Sequence, residues 1–227
     1  LDENLLTRVS DSIEFPNLFF GSFNKIYFKL PDFLLKTIIS EKQDYFYFKH
    51  KNEKMSNNFG FVSNKDHCKE SYLLSGNENV LRARFSDALF FIDEDKKINL
   101  NDRVEKLGKI IFYDGVGNLL DRSNRIKFLV ERISKTIGKK TSNFKGSLNL
   151  SNVDLTTEMV KEFPALQGMV GGYYASLAGE DKELCLAISQ QYKHSFNSKE
   201  NNFLSFALSL AQKLDNILGF FVANKKL

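Results

Sequence analysis

Four basic side chains could bind phosphate groups along one face of a helix that we predict between Asn118 and Ile137. Apolar residues at spacings of three, four and seven define the opposite face: Ile126, Leu129, Val130, Ile133 and Ile137. At about 100 degrees per residue, four basic residues share a narrow sector of this helix: Arg125, Arg132, Lys135 and Lys139. Such a row of cations suits a polyanionic partner, and a solvated helix face is the alternative that gives the same pattern.

Positive charge is concentrated around this helix. Residues 96–145 contain 13 basic and 5 acidic side chains, a net charge of +8, whereas the whole 227-residue chain has a net charge of +4. Residues 1–95 contain 12 basic and 15 acidic side chains. Because a local excess of cations is the electrostatic signature of nucleic-acid binding, the segment favours a polyanionic partner over a merely solvated face.

Acid/base or metal chemistry has one further candidate. Asp154, Glu158 and Glu162 recur every four residues, which would align three carboxylates on one face of a predicted helix over Leu155–Phe163. A solvated acidic face is the alternative. His67 and Cys68 are adjacent, but no second ligand pair follows them at a metal-binding spacing. We therefore assign no catalytic residue and no metal ligand.

Glycine clusters do not form a nucleotide-binding motif. Gly168, Gly171 and Gly172 lack the following Lys-Ser/Thr pair of a phosphate-binding loop, so close helix packing explains them better. Gly115 and Gly117 reproduce only the first part of a dinucleotide fingerprint and predict a turn. The sequence thus predicts no cofactor in this chain.

The fold class that we predict is α+β, with a β-rich N-terminal domain at 1–95 and an all-α domain at 96–227. Alternating apolar and polar residues predict strands at Lys25–Leu30 and Tyr45–Phe48, with a helix over Asp32–Ser40 between them. The aromatic run Tyr45–Phe48 fits either a sheet that buries alternate rings or a platform for stacking bases.

Helical periodicity dominates from Asn77 onward. One helix is predicted from Asn77 to the acidic stretch that ends at Asp95, where we place the domain boundary. In the second domain, three further amphipathic or apolar helices are predicted after the basic one: Leu155–Phe163, Lys182–Tyr192 and Phe203–Phe221.

Composition fits an intracellular globular protein. The apolar fraction is 42% and the charged fraction 26%, and only two cysteines occur, without the spacing of a disulfide framework. The longest apolar run, Ile217–Ala223, is far too short to cross a bilayer, so we predict no membrane contact and a cytoplasmic location. The chain begins at Leu1 without a methionine and is expected to be an internal fragment.

Two long strings and several short ones together resemble the bacterial glycyl-tRNA synthetase beta subunit family. The long strings are Gly76–Phe91 and Asp154–Gly171. The short ones follow in family order along nearly the whole chain: Leu30-Pro31, Gln43–Phe46, Val62–Asn64, Tyr173–Ala175, Gly179-Glu180, Lys213–Asp215 and Leu218-Gly219. Each string alone is weak evidence for the family, but several matches in the same order along the chain are specific to it.

The resemblance implies a subunit of a heterotetrameric glycine-tRNA ligase. The alpha subunit of such an enzyme activates glycine with ATP and Mg, while the beta subunit binds tRNA(Gly), completes the holoenzyme and can contact a second beta subunit. The fragment itself is then expected to be non-catalytic. The family motifs also nominate Arg82, Arg84 and Lys213 as tRNA contacts, with ion pairs to Glu78 and Asp87 as the alternative for the two arginines.

The resemblance further implies that the helical domain is similar to HD phosphohydrolases, which hold a divalent metal with His and Asp side chains. This sequence departs from that pattern at two positions. Val153 precedes Asp154 where the His of the doublet is expected, and Gln212 stands where the family often has Asp. An isopropyl group and an amide are poor substitutes for these ligands, so hydrolysis is the least supported function.

Three functions therefore follow from the sequence. The first is a module for tRNA binding and holoenzyme assembly, with Arg125, Arg132, Lys135 and Lys139 on phosphates. The second is a scaffold that does not touch tRNA, and the third is a metal-dependent phosphohydrolase. We favour the first.

Overall fold

A computed structural model describes residues 2–64, 70–140, 144, 146–193 and 203–223. The chain divides into two compact units, Leu1–Phe91 and Ile92–Leu227. Antiparallel strands occur mainly in the first unit and helices dominate the second, which confirms the α+β class. The units divide inside helix α3 (Glu70–Lys96), and the assignment of domains to 1–95 and 96–227 stays a prediction.

The first unit combines a small sheet with short helices that precede α3. In chain order the elements are α1 (Glu3–Ser12), β1 (Asn17–Ser22), a 3-10 helix (Lys25–Lys29), α2 (Asp32–Lys36), a π-helical turn (Thr37–Glu41), β2 (Phe46–Lys49) and β3 (Met55–Ser63). The sheet is antiparallel with the order β1-β3-β2. The helix predicted over Asp32–Ser40 is confirmed as α2 and the π-helical turn.

Aromatic rings fill the core beneath this sheet. Phe19 of β1 and Phe59 and Phe61 of β3 are buried, and the Tyr45 ring stacks on Phe59 with centroids 5.2 Å apart and an interplanar angle of 17°. On the other face, the Phe48 and Phe20 rings lie 5.9 Å apart. The predicted strand at Tyr45–Phe48 is therefore confirmed by β2, and part of the aromatic run belongs to a packed core.

The strand predicted at Lys25–Leu30 is wrong, because Lys25–Lys29 forms a 3-10 helix. The side-chain oxygen of Asn24 accepts a hydrogen bond from the backbone amide of Ile26 at 2.9 Å and caps this helix. Tyr27 is buried and its ring lies 5.2 Å from that of Phe85 on α3. The alternation of aromatic and polar residues had predicted a strand. The cap at Asn24 and the packing of Tyr27 against α3 favour the 3-10 helix instead.

The second unit is built of helices and one hairpin. After the end of α3 its elements are α4 (Leu100–Lys106), a 3-10 helix (Leu107–Lys109), β4 (Ile111–Tyr113), β5 (Gly117–Asn118), α5 (Leu119–Thr136), a 3-10 helix (Leu148–Thr156), α6 (Glu158–Glu162), a 3-10 helix (Pro164–Leu166), α7 (Met169–Leu177), α8 (Lys182–Gln190) and α9 (Phe203–Val222). The β4–β5 hairpin corrects the prediction that this region is all-α. No described helix has the length and apolar content that a membrane crossing requires.

Glycines act at two places in this unit, and both predictions from sequence are confirmed. Gly115, in the turn between β4 and β5, and Gly117, the first residue of β5, adopt φ values of +78° and +108°, where a side chain would be strained. A Cβ atom at Gly172 would lie 2.6 Å from the Cys185 carbonyl oxygen of α8. Gly171 and Gly172 therefore allow α7 and α8 to pack closely.

Candidate functional site

Helix α5 carries the predicted cationic face, and its N-terminus explains why it begins where it does. The Asn118 side chain accepts hydrogen bonds from the backbone amides of Leu120 and Asp121, each at 2.9 Å. The Asp121 carboxylate accepts one from the Asn118 amide at 3.0 Å, which completes a capping box. The predicted helix is confirmed. Its apolar face is confirmed in part, because Ile126 and Val130 are fully buried whereas Ile137 is 50% exposed.

Arg125, the first member of the predicted phosphate-binding row, already has a carboxylate partner. Its Nε and Nη2 atoms donate to the two oxygens of Asp215 on α9, at 2.6 and 3.3 Å. Its Nη1 atom also donates to the Val116 carbonyl at 3.3 Å. The Arg125 side chain is 36% exposed and that of Asp215 only 5%. Arg125 therefore joins α5 to α9, and its contact with phosphate stays a prediction.

The other three members of the row lie at the surface. Arg132, Lys135 and Lys139 are exposed, and none of them forms an ion pair with a described residue. The Arg132 guanidinium lies over the Phe128 ring, 5.1 Å from its centroid, in a cation–π contact between successive turns of α5. These three cations can neutralise the charge of a ligand without first breaking an internal ion pair.

Two of the motif-based candidates belong to the first unit. Arg82 and Arg84 lie exposed on the part of α3 that belongs to the first unit. The Tyr27 hydroxyl donates to the Arg82 carbonyl oxygen at 3.4 Å, and the Glu78 carboxylate accepts from the Ser22 amide at 2.8 Å. Glu78 thus holds β1 to α3, and the choice between ion pairing and tRNA contact for the two arginines stays open.

Lys213, the third motif-based candidate, lies on α9. Its ammonium group donates to the Lys193 carbonyl oxygen at 3.3 Å, just beyond α8. The side chain is half-buried, so it helps to hold the segment after α8 to α9. Its contact with tRNA stays a prediction.

Arg122, one turn before Arg125, lies in the interior instead of on the surface. Its Nη2 atom donates to the Gln212 amide oxygen at 2.7 Å, and its Nε atom lies 3.7 Å from the Asp215 carboxylate. The guanidinium also covers the Phe112 ring at 4.1 Å. Burial lowers the pKa of Arg122, and Asp215 opposes this shift. Two guanidinium groups therefore converge on one buried carboxylate.

Gln212 is the centre of a buried polar cluster between α5, α9 and the segments that precede α6 and follow α8. Its amide nitrogen donates to the Asn152 oxygen at 3.0 Å and to the Gln191 oxygen at 2.6 Å. Tyr192 donates to the same Asn152 oxygen at 3.2 Å, and the Asn152 amide donates to the Ser123 hydroxyl at 3.2 Å. Amide and hydroxyl groups satisfy one another here, which is what burial of polar groups requires.

Asp154 is buried beside this cluster at the end of a 3-10 helix. One carboxylate oxygen accepts a hydrogen bond from the Gly168 amide at 2.5 Å. Burial raises the pKa of Asp154 to about 6, although the Gly168 and Gly171 amides favour the ionised form. None of the ion pairs between described residues includes Asp154, so no such pair offsets its burial, and the carboxyl becomes neutral in mildly acidic solution.

The cluster does not fit a divalent metal ion. Val153 is buried and offers no ligand atom, and the Gln212 amide is committed to Asn152, Gln191 and Arg122. Among the described residues, no group of three His, Cys, Asp or Glu side chains is placed to hold a metal. The pair His67 and Cys68 lies outside the described residues.

The predicted row of three carboxylates is wrong, because Asp154 does not share the helix that carries Glu158 and Glu162. Asp154 lies in the 3-10 helix Leu148–Thr156, the extended residue Thr157 interrupts the helical backbone, and Glu158 begins α6. The Thr157 hydroxyl accepts from the Val160 amide and caps α6. Asp154 is buried, whereas Glu158 is exposed and pairs with Lys161 at 2.6 Å. The helix predicted at Leu155–Phe163 is shortened to α6 for the same reason.

A second buried ion pair, between α3 and α4, was not predicted from the sequence. Arg103 of α4 and Asp95 of α3 are 2% and 1% exposed, with Nη2 and Oδ1 2.9 Å apart. The Asp95 carboxylate also accepts hydrogen bonds from the Glu158 and Met159 amides at the start of α6 and from the Tyr174 hydroxyl. Burial raises the pKa of that hydroxyl, and the charge of Asp95 and the hydrogen bond to it raise the pKa further. This pair therefore positions the start of α6. The spacing of Asp95 and Arg103 in the sequence does not indicate that they form a buried ion pair.

The fold and these contacts define an α+β protein whose helical unit has a buried polar cluster on one side of α5 and exposed cations on the other. A family model described as glycyl-tRNA synthetase beta subunit matches residues 1–226. The chain belongs to the glycyl-tRNA synthetase beta subunit family, which confirms the resemblance seen in its motifs.

Curated relatives agree with this assignment. The chain is 38% identical over 228 residues to a glycine–tRNA ligase beta subunit from Halothermothrix orenii, an alignment that covers 97% of this chain and 33% of that protein. The beta subunits from Neisseria meningitidis and Bacillus subtilis are 36% and 34% identical, over 96% and 97% of this chain and 32% and 33% of their own lengths. The chain thus spans about a third of the curated relatives that it matches.

Proposed function

We propose that this chain is part of the non-catalytic beta subunit of a cytoplasmic glycine–tRNA ligase, where it supports tRNA(Gly) binding and assembly of the holoenzyme. The family match over residues 1–226 is the observation that carries this proposal. In this scheme a separate alpha subunit forms glycyl-adenylate from glycine with ATP and Mg, and the beta subunit presents the tRNA. A beta–beta contact in the heterotetramer belongs to the same proposal.

The exposed cations of α5 are the part of the chain best suited to hold RNA. Arg132, Lys135 and Lys139 follow one another at spacings of three and four residues and share a face of α5 and its C-terminal extension. Phosphates of an RNA backbone recur along a strand, so a row of cations can neutralise several at once. Arg125 takes a smaller part, because Asp215 already neutralises it.

A salt series tests this role directly. We would measure binding of tRNA(Gly) by the purified wild-type protein and by a variant with Arg132→Gln, Lys135→Gln and Lys139→Gln. Each lost phosphate contact is expected to reduce the slope of log affinity against log salt by roughly 0.7 to 0.9. The variant should therefore bind more weakly at low salt and with a clearly shallower slope.

Lys182→Gln supplies the matched control, because it removes an exposed cation of α8 that lies outside the row. It is compared with a single variant, Lys135→Gln, which removes one cation of the row. The salt slope should fall by less in Lys182→Gln than in Lys135→Gln. Thermal unfolding of all variants checks that the fold is kept. No tRNA binding by the wild-type protein at low salt, or equal loss in the control, would refute the RNA-binding role.

A scaffold without direct tRNA contact is the second candidate. It is favoured by an apolar surface on the C-terminal half of α9, where five large side chains are exposed at helical spacing: Leu214, Ile217, Leu218, Phe221 and Val222. Exposed apolar stripes of this extent commonly contact other proteins. If the protein assembles with an alpha subunit and restores glycylation but does not bind tRNA alone, the scaffold role is favoured.

A further inference from the structure

A groove opens between α5, α9 and the turn of the β4–β5 hairpin. Its volume is about 300 Å³, at the lower end of the range for ligand pockets. The walls are mostly apolar, and Phe128 of α5, which is 55% exposed, forms one side. The other lining side chains come from all three elements: Val116, Leu129, Leu218 and Val222.

The groove and the cationic row occupy the same face of α5. Phe128 follows Arg125 by three residues and precedes Arg132 by four, so these three side chains lie on adjacent turns of one face. Lys135 continues this face by three more residues. An aromatic ring is therefore interleaved with exposed cations, and the Arg132 guanidinium lies over it at 5.1 Å.

We infer that this groove accepts an unpaired nucleobase of a tRNA whose phosphates lie along Arg132 and Lys135. The inference rests on the proposed function, since it specifies which part of the RNA the same face contacts. Proteins hold single-stranded RNA by stacking bases on aromatic rings or arginine planes while cations follow the backbone. A duplex offers no free base, so the groove distinguishes a single-stranded end or loop from a stem.

The floor of the groove supplies polar atoms for the edge of the base. Arg125 and Asp215 both line it, and the Arg125 guanidinium is the polar group that a base could reach, because it is 36% exposed whereas the Asp215 side chain is only 5% exposed. Arg122 lies 3.7 Å from the same carboxylate, so the two guanidinium groups and the single carboxylate together leave an excess of positive charge at the floor. The exposed cations beside the groove favour an anionic occupant over a neutral apolar segment of protein. The aromatic ring of Phe128 among them offers a stacking surface for a base, which an acidic segment of protein would not use.

Two RNA hairpins of the same stem test the inference, one blunt and one with a short single-stranded 3′ extension. The wild-type protein is expected to prefer the extended hairpin, and a fluorescent base analogue in the extension should be quenched on binding. Phe128→Ala should weaken binding of the extended hairpin roughly 5- to 150-fold, from about 1 to 3 kcal/mol per stacked base. Its salt slope should not change, because no charge is removed.

Phe221→Ala is the matched control, since it removes an exposed phenylalanine of α9 that does not line the groove, and it should keep the preference. Val222→Asp on the opposite wall tests the site again by placing a carboxylate where RNA would lie. A preference that survives Phe128→Ala and Val222→Asp would overturn the inference.

The inference and the proposed function fail in different ways. If the wild-type protein binds both hairpins equally with a steep salt dependence, the groove does not take a base but the cationic row still binds RNA. The same result follows if the groove is a docking site for protein. If neither hairpin nor tRNA(Gly) binds at low salt, both the inference and the RNA-binding role are refuted.

Discussion

The two ends of helix α5 use the same type of side chain in opposite ways. Near its N-terminus, Arg122 and Arg125 point to a carboxylate of α9, and Asp215 holds both of them in or near the interior. Near its C-terminus, Arg132 and Lys135 are exposed and contact no described carboxylate. One arginine-rich helix thus fastens the core at one end and offers free charge at the other.

The two ends of α5 differ because Asp215 of α9 lies beside the N-terminal end, and not because the helix itself changes. Asp215 is 90 residues from Arg125 along the chain, and α9 brings it next to α5. Removal of one member of a buried ion pair leaves an uncompensated charge in the interior, whereas removal of an exposed cation is compensated by water. The two ends should therefore respond very differently to the loss of charge.

The largest effect is expected from Asp215→Ala. This change leaves Arg122 buried without its carboxylate and frees Arg125 from α9, so the free energy of unfolding should fall by about 3 to 5 kcal/mol. Urea unfolding followed by circular dichroism measures this loss. Arg125→Ala should cost clearly less, because its side chain is 36% exposed and Arg122 remains beside Asp215. Equal effects of the two changes would contradict this division of roles.

The sequence predicted the elements around this pair but not the pair itself. The capped helix at Asn118–Ile137 and the apolar helix at Phe203–Phe221 follow from local periodicity, and both were predicted within a residue of α5 and α9. Periodicity says which face of a helix is polar, but not which distant carboxylate will meet it. Arg125 was therefore grouped with the surface cations.

Some of the missed residues left a signal in the sequence and others did not. Arg122 lies four residues before buried Ile126, so a charge on the apolar side of the helix could have indicated a buried partner. The sequence places Asp95 in the acidic stretch at the end of a predicted helix. In the structure its carboxylate caps α6 by accepting from the Glu158 amide, which is 63 residues further along the chain. The break at Thr157 also depends on that contact, because Asp95 satisfies amides that a continuous helix would use internally.

The buried cluster should also respond to pH through Asp154. Its pKa is raised from 3.8 to about 6 in the folded protein, so between these values the folded state binds more protons than the unfolded state. The free energy of unfolding should therefore fall as pH rises from about 4 to 6, by about 3 kcal/mol at 1.36 kcal/mol per pKa unit. Above this window the penalty is constant, and below it the penalty is absent.

Asp154→Asn isolates this contribution, since the amide cannot ionise but can still accept the hydrogen bond from Gly168. Urea unfolding of wild type and variant across this pH range gives the difference between them, in which other titrating groups cancel. The variant should gain stability relative to wild type as pH rises from 4 to 6. A difference that stays constant with pH would show that Asp154 does not titrate in this window.

The smallest effect is expected from Arg132→Gln combined with Lys135→Gln at the exposed end of α5. Both side chains are exposed, and substitutions of this kind usually change stability by less than about 0.5 kcal/mol each. Among the described residues, the double change removes the cation–π contact of Arg132 with Phe128 at 5.1 Å, which is worth about 0.5 to 1 kcal/mol at an exposed site. Urea unfolding should therefore detect a loss near 1 kcal/mol, well below that of Asp215→Ala. If the free energy of unfolding fell by as much as in Asp215→Ala, these cations would stabilise the fold and would not be free to bind a ligand.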